Sequence, residues 1–196
     1  MRKSPLLAAL AALTLAGCME QADLSMSDFR PAMRWDHKAE GDAWTGRTLM
    51  AVAEEDDKLA GLVPADIATW CPGYATAALP ERRAFWVGVL SALAKHESTW
   101  NPRASGGGGR WIGLTQIAPA TARQYGCEAR TSAALKDGAA NLACAVEIMA
   151  VNVANDGLVA GNGTRGIGRD WAPLRSSRKR QDMIAWVSRQ SYCQPG

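Results

Sequence analysis

The segment Phe85-Trp86-Val87-Gly88-Val89-Leu90-Ser91-Ala92-Leu93-Ala94-Lys95-His96-Glu97 constrains the fold more than any other part of the chain. Trp86, Leu90, Leu93 and Glu97 recur at helical spacing, so an apolar helix face ends in a carboxylate. Ionising a carboxyl on such a face is costly. The negative end of the helix dipole opposes a second negative charge there. Both effects raise the pKa, and a carboxyl that keeps its proton near neutral pH can serve as a general acid. The same pattern also fits a helix-terminal Glu that snorkels into water, and the residues after it must decide.

Other helices surround this one. Trp44 to Leu62 forms a loosely periodic helix, and Pro64 and Cys71-Pro72-Gly73 punctuate the loop that follows. Pro80 and Glu81 suit the first turn of the central helix, which runs to about Ser98. Asn101 to Gly113 reads as a loop whose glycines, Gly106 to Gly109, reach backbone angles closed to other residues. Pro119 to Gln124 is a short helix, Asp137 to about Asn155 a long one, and Ser177 to Gln190 the last. Gly157 to Gly168 reads as loose. No stretch alternates at period two long enough to make a convincing strand, so the class is mostly α.

Met1-Arg2-Lys3 followed by a short apolar run from Leu6 to Ala16 has the form of an export signal, too short to span a bilayer comfortably. Leu15-Ala16-Gly17-Cys18 resembles a bacterial lipobox, which implies cleavage before Cys18 and its lipidation. Met19 in place of Asp favours the outer membrane by the sorting rule of enteric bacteria. The expected organisation is a signal peptide at 1–17, a lipid anchor and tether at 18–40, and one domain at 41–196, located in the periplasm. A net charge of +3 gives no argument for nucleic acid. Cys71, Cys127, Cys144 and Cys193 remain, an even number in an exported chain, which suggests two disulfides. Of three possible pairings, Cys127 with Cys144 and Cys71 with Cys193 are favoured.

Glu97-Ser98-Thr99-Trp100-Asn101-Pro102-Arg103-Ala104-Ser105, followed by Gly113-Leu114-Thr115-Gln116-Ile117-Ala118-Pro119-Ala120-Thr121-Ala122, resembles the lytic transglycosylases. These are bacterial enzymes related to goose-type lysozyme that cut peptidoglycan. Asn141-Leu142 is similar to the family's Asn-Ile segment. The resemblance implies a lysozyme-like helical domain with a substrate groove. Position by position, it makes Glu97 the catalytic acid/base and Ser98 the residue that supports it. Ser105 would contact the sugar near the reacting bond, Gln116 would line the groove, and Gly113 and Leu114 would hold a loop close to substrate. Trp100, Trp111 and Tyr125 can offer aromatic faces to sugar, or can equally be packing residues. Ser98 can equally be a local helix-end cap.

Most glycosidases flank the scissile bond with two carboxylates. From Ser98 through Cys127 there is no Asp or Glu; Glu128, Asp137, Glu147, Asp156 and Asp170 come later and stay open as partners. A lone acid suits the chemistry the resemblance implies. The Glu protonates the oxygen leaving between MurNAc and GlcNAc, then takes a proton from the C6 hydroxyl of the same MurNAc, closing a 1,6-anhydro ring without water. A lysozyme-like hydrolase and a non-catalytic glycan-binding assembly protein are the alternatives. Neither a cofactor nor a metal is expected.

The chain departs from the family pattern in four places. Thr115 replaces a Met, the glycine run is longer, and Arg110-Trp111-Ile112 replaces Gly-Ala-x. The later Ala-Tyr-Asn-Ala-Gly motif, whose Tyr points at the Glu, is missing, which leaves Trp171, Arg169 or Tyr192 to occupy its region. Gly161 to Gly166 matches G-x-G-x-x-G without a preceding strand, which argues against dinucleotide binding. Arg178-Lys179-Arg180 reads as the solvated start of the last helix.

Overall fold

The computed structural model describes residues 29–194, and Pro31 onward forms one compact unit. The signal, Cys18 and the expected tether up to residue 28 lie outside the described residues. Six α-helices are described: α1 (Gly41–Glu54), α2 (Ile67–Trp70), α3 (Leu79–Ser98), α4 (Pro119–Gln124), α5 (Gly138–Asp156) and α6 (Ser177–Val187). Short 3-10 turns join several of them. The mostly α class expected from the sequence is the class observed.

α3 is the centre. Every residue from Ala84 to Ala94 is buried, so the helix is enclosed on all sides rather than along one stripe. α1 and α6 pack on α3, and α5 packs on α1. At its start the Glu81 carboxylate accepts the Ala78 backbone N–H (2.8 Å), with Pro80 in the first turn. Gly88 is required because the Tyr192 ring lies where a side chain would begin. Asp137 caps α5 by accepting the Ala140 N–H (2.9 Å), and Gly157 ends it in the left-handed region.

Three boundaries differ from the sequence reading. The tether expected from the sequence runs to residue 40, yet Met33 and Trp35 are buried in the core. The Trp35 indole N–H donates to the Thr45 hydroxyl of α1 (2.9 Å), so residues 31–40 belong to the domain. The first helix ends at Glu54, well before Leu62. The loop at 101–113 contains a two-residue antiparallel hairpin, β1 (Ser105–Gly106) with β2 (Trp111–Ile112), pairing Ser105 with Ile112 and Gly106 with Trp111. Strands this short leave no alternation to read.

The glycine-rich stretch after α5 is tied down rather than loose. The Asp66 carboxylate accepts backbone N–H groups from Val159 (2.6 Å), Ala160 (3.1 Å) and Gly161 (2.8 Å). Asp156 accepts the Gly166 N–H (2.7 Å) and pairs with Arg165 and Arg169. The two ends of the Gly161-to-Gly166 stretch are therefore tied to the chain's own carboxylates, Asp66 and Asp156. Two disulfides, Cys71–Cys193 and Cys127–Cys144, close loops of 122 and 17 residues. They are the favoured pair, and the first ties the chain's last turn to the segment before α3.

Candidate active site

Glu97 sits in the last turn of the core helix, half-buried, where α3 runs out of the interior. The turn that follows is strained. Thr99 and Trp100 both adopt left-handed backbone angles, φ 53° and 56°. Their N–H groups both donate to the Ala94 carbonyl, Trp100 at 3.3 Å. Among the described residues, the third non-glycine with positive φ is Gln116, at 52°. A β-branched residue in that region is costly, and such strain collects where the surroundings over-determine a shape. All three outliers flank Glu97 or the turn bonded to its neighbour.

That turn is Gly113 to Gln116, held from three sides. The Ser98 hydroxyl donates to the Leu114 carbonyl (2.8 Å), joining the end of α3 to the turn. Asn141, fully buried at the start of α5, accepts from the Thr115 N–H (2.9 Å) and hydroxyl (2.7 Å). Its amide donates to the Ile112 (3.0 Å) and Leu135 (3.1 Å) carbonyls. From the far side the Trp171 indole N–H donates to the Thr115 carbonyl (2.9 Å). Gly113, at φ 85°, is forced: a Cβ there would run into the Asn141 amide and the Leu135 carbonyl.

The hairpin stacks on this turn. The Gly113 N–H donates to the Ala104 carbonyl (2.9 Å), and the Gln116 amide donates to the Gly113 carbonyl (2.9 Å). The Gln116 side-chain oxygen lies against Gly106, and the Trp111 ring lies against Gly107, so neither glycine has room for a side chain. Trp111 remains 43% exposed, with the Arg110 guanidinium 5.5 Å from its ring centroid. Ser105 is exposed on the same hairpin.

Ser98, Gly113, Leu114 and Gln116 are thus bonded into one assembly beside Glu97, with Ser105 and Trp111 on its rim. Leu114 contributes only its carbonyl, because its side chain is fully buried. Trp100 differs from the groove-lining expectation. Its indole N–H donates to the Ser91 carbonyl (2.9 Å), and its ring packs edge-on to His37 (4.6 Å), so it is a packing residue. Tyr125 is half-buried, and its hydroxyl donates to Asp170 (2.9 Å).

The three stand-ins for the missing Tyr motif are committed elsewhere. Trp171 holds Thr115, Arg169 pairs with Asp156, and the Tyr192 hydroxyl donates to the Ala32 carbonyl (3.3 Å). Among the described residues, no side chain hydrogen-bonds the Glu97 carboxyl, and no fully enclosed side-chain polar atom lacks a partner. The carboxyl oxygens therefore reach accessible space.

Burial pushes the Glu97 pKa up to about 7, against a smaller opposing pull from the Lys179 ammonium. No carboxylate contributes to that shift. A second acid within about 5–10 Å, as two-carboxylate glycosidases require, would add a like-charge repulsion. The later acids are occupied. Asp156 serves Arg165 and Arg169, while Asp170 accepts from Tyr125 and from Asn152 (2.7 Å). Glu128, Asp137 and Glu147 line a separate cleft of about 710 Å³ between α1 and α5, which Glu97 does not line. Among the described residues, no cluster of three or more His, Cys, Asp or Glu is placed to hold a metal ion.

Two contributors were not legible as such. Asp182 on α6 accepts both arms of the Arg34 guanidinium (2.7 and 3.0 Å), the His96 ring (2.8 Å) and the Lys95 ammonium (3.3 Å). Lys179, one turn earlier on α6, is half-buried rather than fully solvated.

The family described as Transglycosylase SLT domain matches residues 76–182, more than half of the chain. No curated protein sequence matches it. Three solved structures of Bd0314 DslA share the fold. The wild-type form 2 is 28% identical, covering 83% of this chain and 98% of that one, with a TM-score of 0.75. One glutamate-to-glutamine mutant of the same protein is 28% identical over 81% and 95%, with a TM-score of 0.74. A second such mutant is 26% identical over 83% and 97%, with a TM-score of 0.73.

Proposed function

From the premise that the chain belongs to the Transglycosylase SLT domain family, we propose that it is a peptidoglycan lytic transglycosylase with Glu97 as its single acid/base. The carrying observation is a half-buried carboxyl with a pKa near 7, at the mouth of a strained, cross-braced turn, with no second carboxylate acting on it. Near neutral pH such a group holds its proton far more readily than an ordinary carboxyl, so it can give a proton and then take one back. Glu97 protonates the oxygen leaving between MurNAc and GlcNAc. It then accepts the C6 hydroxyl proton of the same MurNAc, and the ring closes to the 1,6-anhydro product. A one-acid site favours this route because no water needs a second base to activate it.

Ser105, Gln116 and Trp111 border the groove in this reading, and Gly113 lets the backbone approach the strand. Ser98 and Leu114 hold the turn rather than touch sugar. The lipobox at Leu15-Ala16-Gly17-Cys18 supports export, lipidation at Cys18 and attachment to the periplasmic face of the outer membrane. Residues from Cys18 to about 30 would then form the tether.

The test is digestion of purified sacculi followed by mass analysis of the fragments. Ends lighter by one water than reducing MurNAc, lost in Glu97→Gln, are expected. Reducing ends would make the protein a hydrolase. Equal binding by both proteins with lysis by neither would make it a glycan-binding protein.

A further inference from the structure

The hairpin beside Glu97 carries a positive charge that does no work for the fold. Arg110 is exposed, and among the described residues its guanidinium makes no hydrogen bond and no ion pair; it lies 5.5 Å from the centroid of the Trp111 ring. From Ser98 through Cys127 the chain has three arginines, Arg103, Arg110 and Arg123, and no acidic residue. Arg123 donates to the Arg130 carbonyl (3.3 Å), while Arg103 and Arg110 stay exposed. This lip of the site is therefore cationic, with no carboxylate of its own segment to neutralise it.

Arg110 is fixed there by a run of contacts. Its backbone N–H and that of Gly109 both donate to the Gly106 carbonyl (3.0 Å each), which closes the hairpin tip. The Trp111 ring lies against Gly107. The same ring and the Gln116 side-chain oxygen both come within 4 Å of the point where a Gly106 side chain would begin, so they share one face of the hairpin. Gln116 bonds to the Gly113 carbonyl, and the Leu114 carbonyl accepts from Ser98, the residue after Glu97. The rim cation and the acid thus belong to one braced surface. A guanidinium resting on an indole keeps its N–H edges open, in a fork that matches a carboxylate. A neutral glycan gains nothing from that fork. MurNAc differs from GlcNAc by a lactyl arm, whose acid is either free or joined to a peptide stem bearing carboxylates of its own.

Resting on the reading of the chain as a peptidoglycan transglycosylase, we propose that Arg110 is a specificity-determining residue that pairs with a carboxylate carried on the lactyl arm of the strand, while Trp111 holds its guanidinium in place. The chemistry recognised is an anionic carboxylate beside an amino sugar. The free lactyl acid of a peptide-free strand supplies it, or the stem of a peptide-bearing one; a chain of GlcNAc alone lacks it. Arg110 forms and breaks no covalent bond.

The experiment is calorimetric binding to the full protein carrying Glu97→Gln, so that no strand is cut, with and without Arg110→Gln. Three ligands are compared at low salt: a neutral chitin oligosaccharide, peptide-free peptidoglycan strands and peptide-bearing strands. Arg110→Gln should weaken binding of a carboxylate-bearing strand about fivefold, and of the neutral oligosaccharide by less than about twofold. The difference should shrink in about 1 M salt, where screening is short-ranged. A loss confined to peptide-free strands assigns the lactyl acid, a loss confined to peptide-bearing strands assigns the stem, and a loss with both shows that Arg110 reads either. An equal loss for all three ligands, no loss with any, or a loss that salt leaves undiminished overturns the proposal. Thermal melts verify folding, and Arg110→Ala replaces Arg110→Gln if the latter does not fold. A protein that binds no strand overturns this proposal and the transglycosylase reading together. Charge-dependent binding combined with reducing ends on digestion overturns only the reaction assigned above.

Discussion

Asn141→Ala is the most informative perturbation of the scaffold, because one buried amide there spans the hairpin, the Gly113-to-Gln116 turn and α5. The wild-type side chain makes four hydrogen bonds of 2.7 to 3.1 Å in a fully buried setting. Removing it does not orphan all four partners. The Ile112 carbonyl keeps the Ile117 N–H (2.9 Å), and the Thr115 hydroxyl can rotate. The Thr115 N–H and the Leu135 carbonyl lose this partner inside the core. At about 1–3 kcal/mol for each buried unsatisfied group, with a small cavity added, the expected loss is about 4 kcal/mol. That is a large share of the roughly 5–15 kcal/mol that holds a domain together. Urea unfolding followed by tryptophan fluorescence measures it, with an unchanged m-value as the check that both end states are comparable. Amide exchange at Thr115 and Gln116 should accelerate in step. Asn141→Asp should fare no better at neutral pH, since it keeps the acceptor for Thr115 but sets a negative charge against two carbonyls. A loss under about 1 kcal/mol in Asn141→Ala would refute the view that this amide braces the turn.

Two further outcomes follow from the same structure. A carboxyl whose folded pKa is raised to about 7 binds protons more tightly when folded, so its contribution is full below its ordinary value of 4.5 and is lost as pH rises through about 7. Glu97→Gln should therefore melt above the parent at pH 8 and close to it at pH 4, and a gap that is flat with pH would contradict the burial of that group. The chain-entropy model gives about 3 kcal/mol for the 17-residue loop of Cys127–Cys144 and about 5 kcal/mol for the 122-residue loop of Cys71–Cys193. Reduction should lower the melting temperature, with Cys71→Ser/Cys193→Ser costing more than Cys127→Ser/Cys144→Ser; the opposite order would show that local packing outweighs chain entropy.

The sequence by itself determined the helical class, the position of Glu97 at the end of an apolar helix and the identity of the Gly113-to-Gln116 turn. Each of these is a local pattern, or an ordered motif within about 26 residues, and local patterns survive without knowledge of the fold. The reading of α3 as one apolar face was too narrow, because full enclosure depends on α1, α6 and Tyr192, which come from both ends of the chain. Only the tertiary structure decided which polar residues serve the site. Asn141 and Trp171 stood out in the sequence, but not as the residues that brace Thr115, and nothing in the position of Asp182, 85 residues after Glu97, announces its partners Lys95 and His96. Trp100 and Trp111 look alike in sequence, yet one spends its N–H on the helix behind it and the other stays open. Hydrogen bonds and fields act through space, so their partners are fixed by how helices pack and not by the order in which residues are joined.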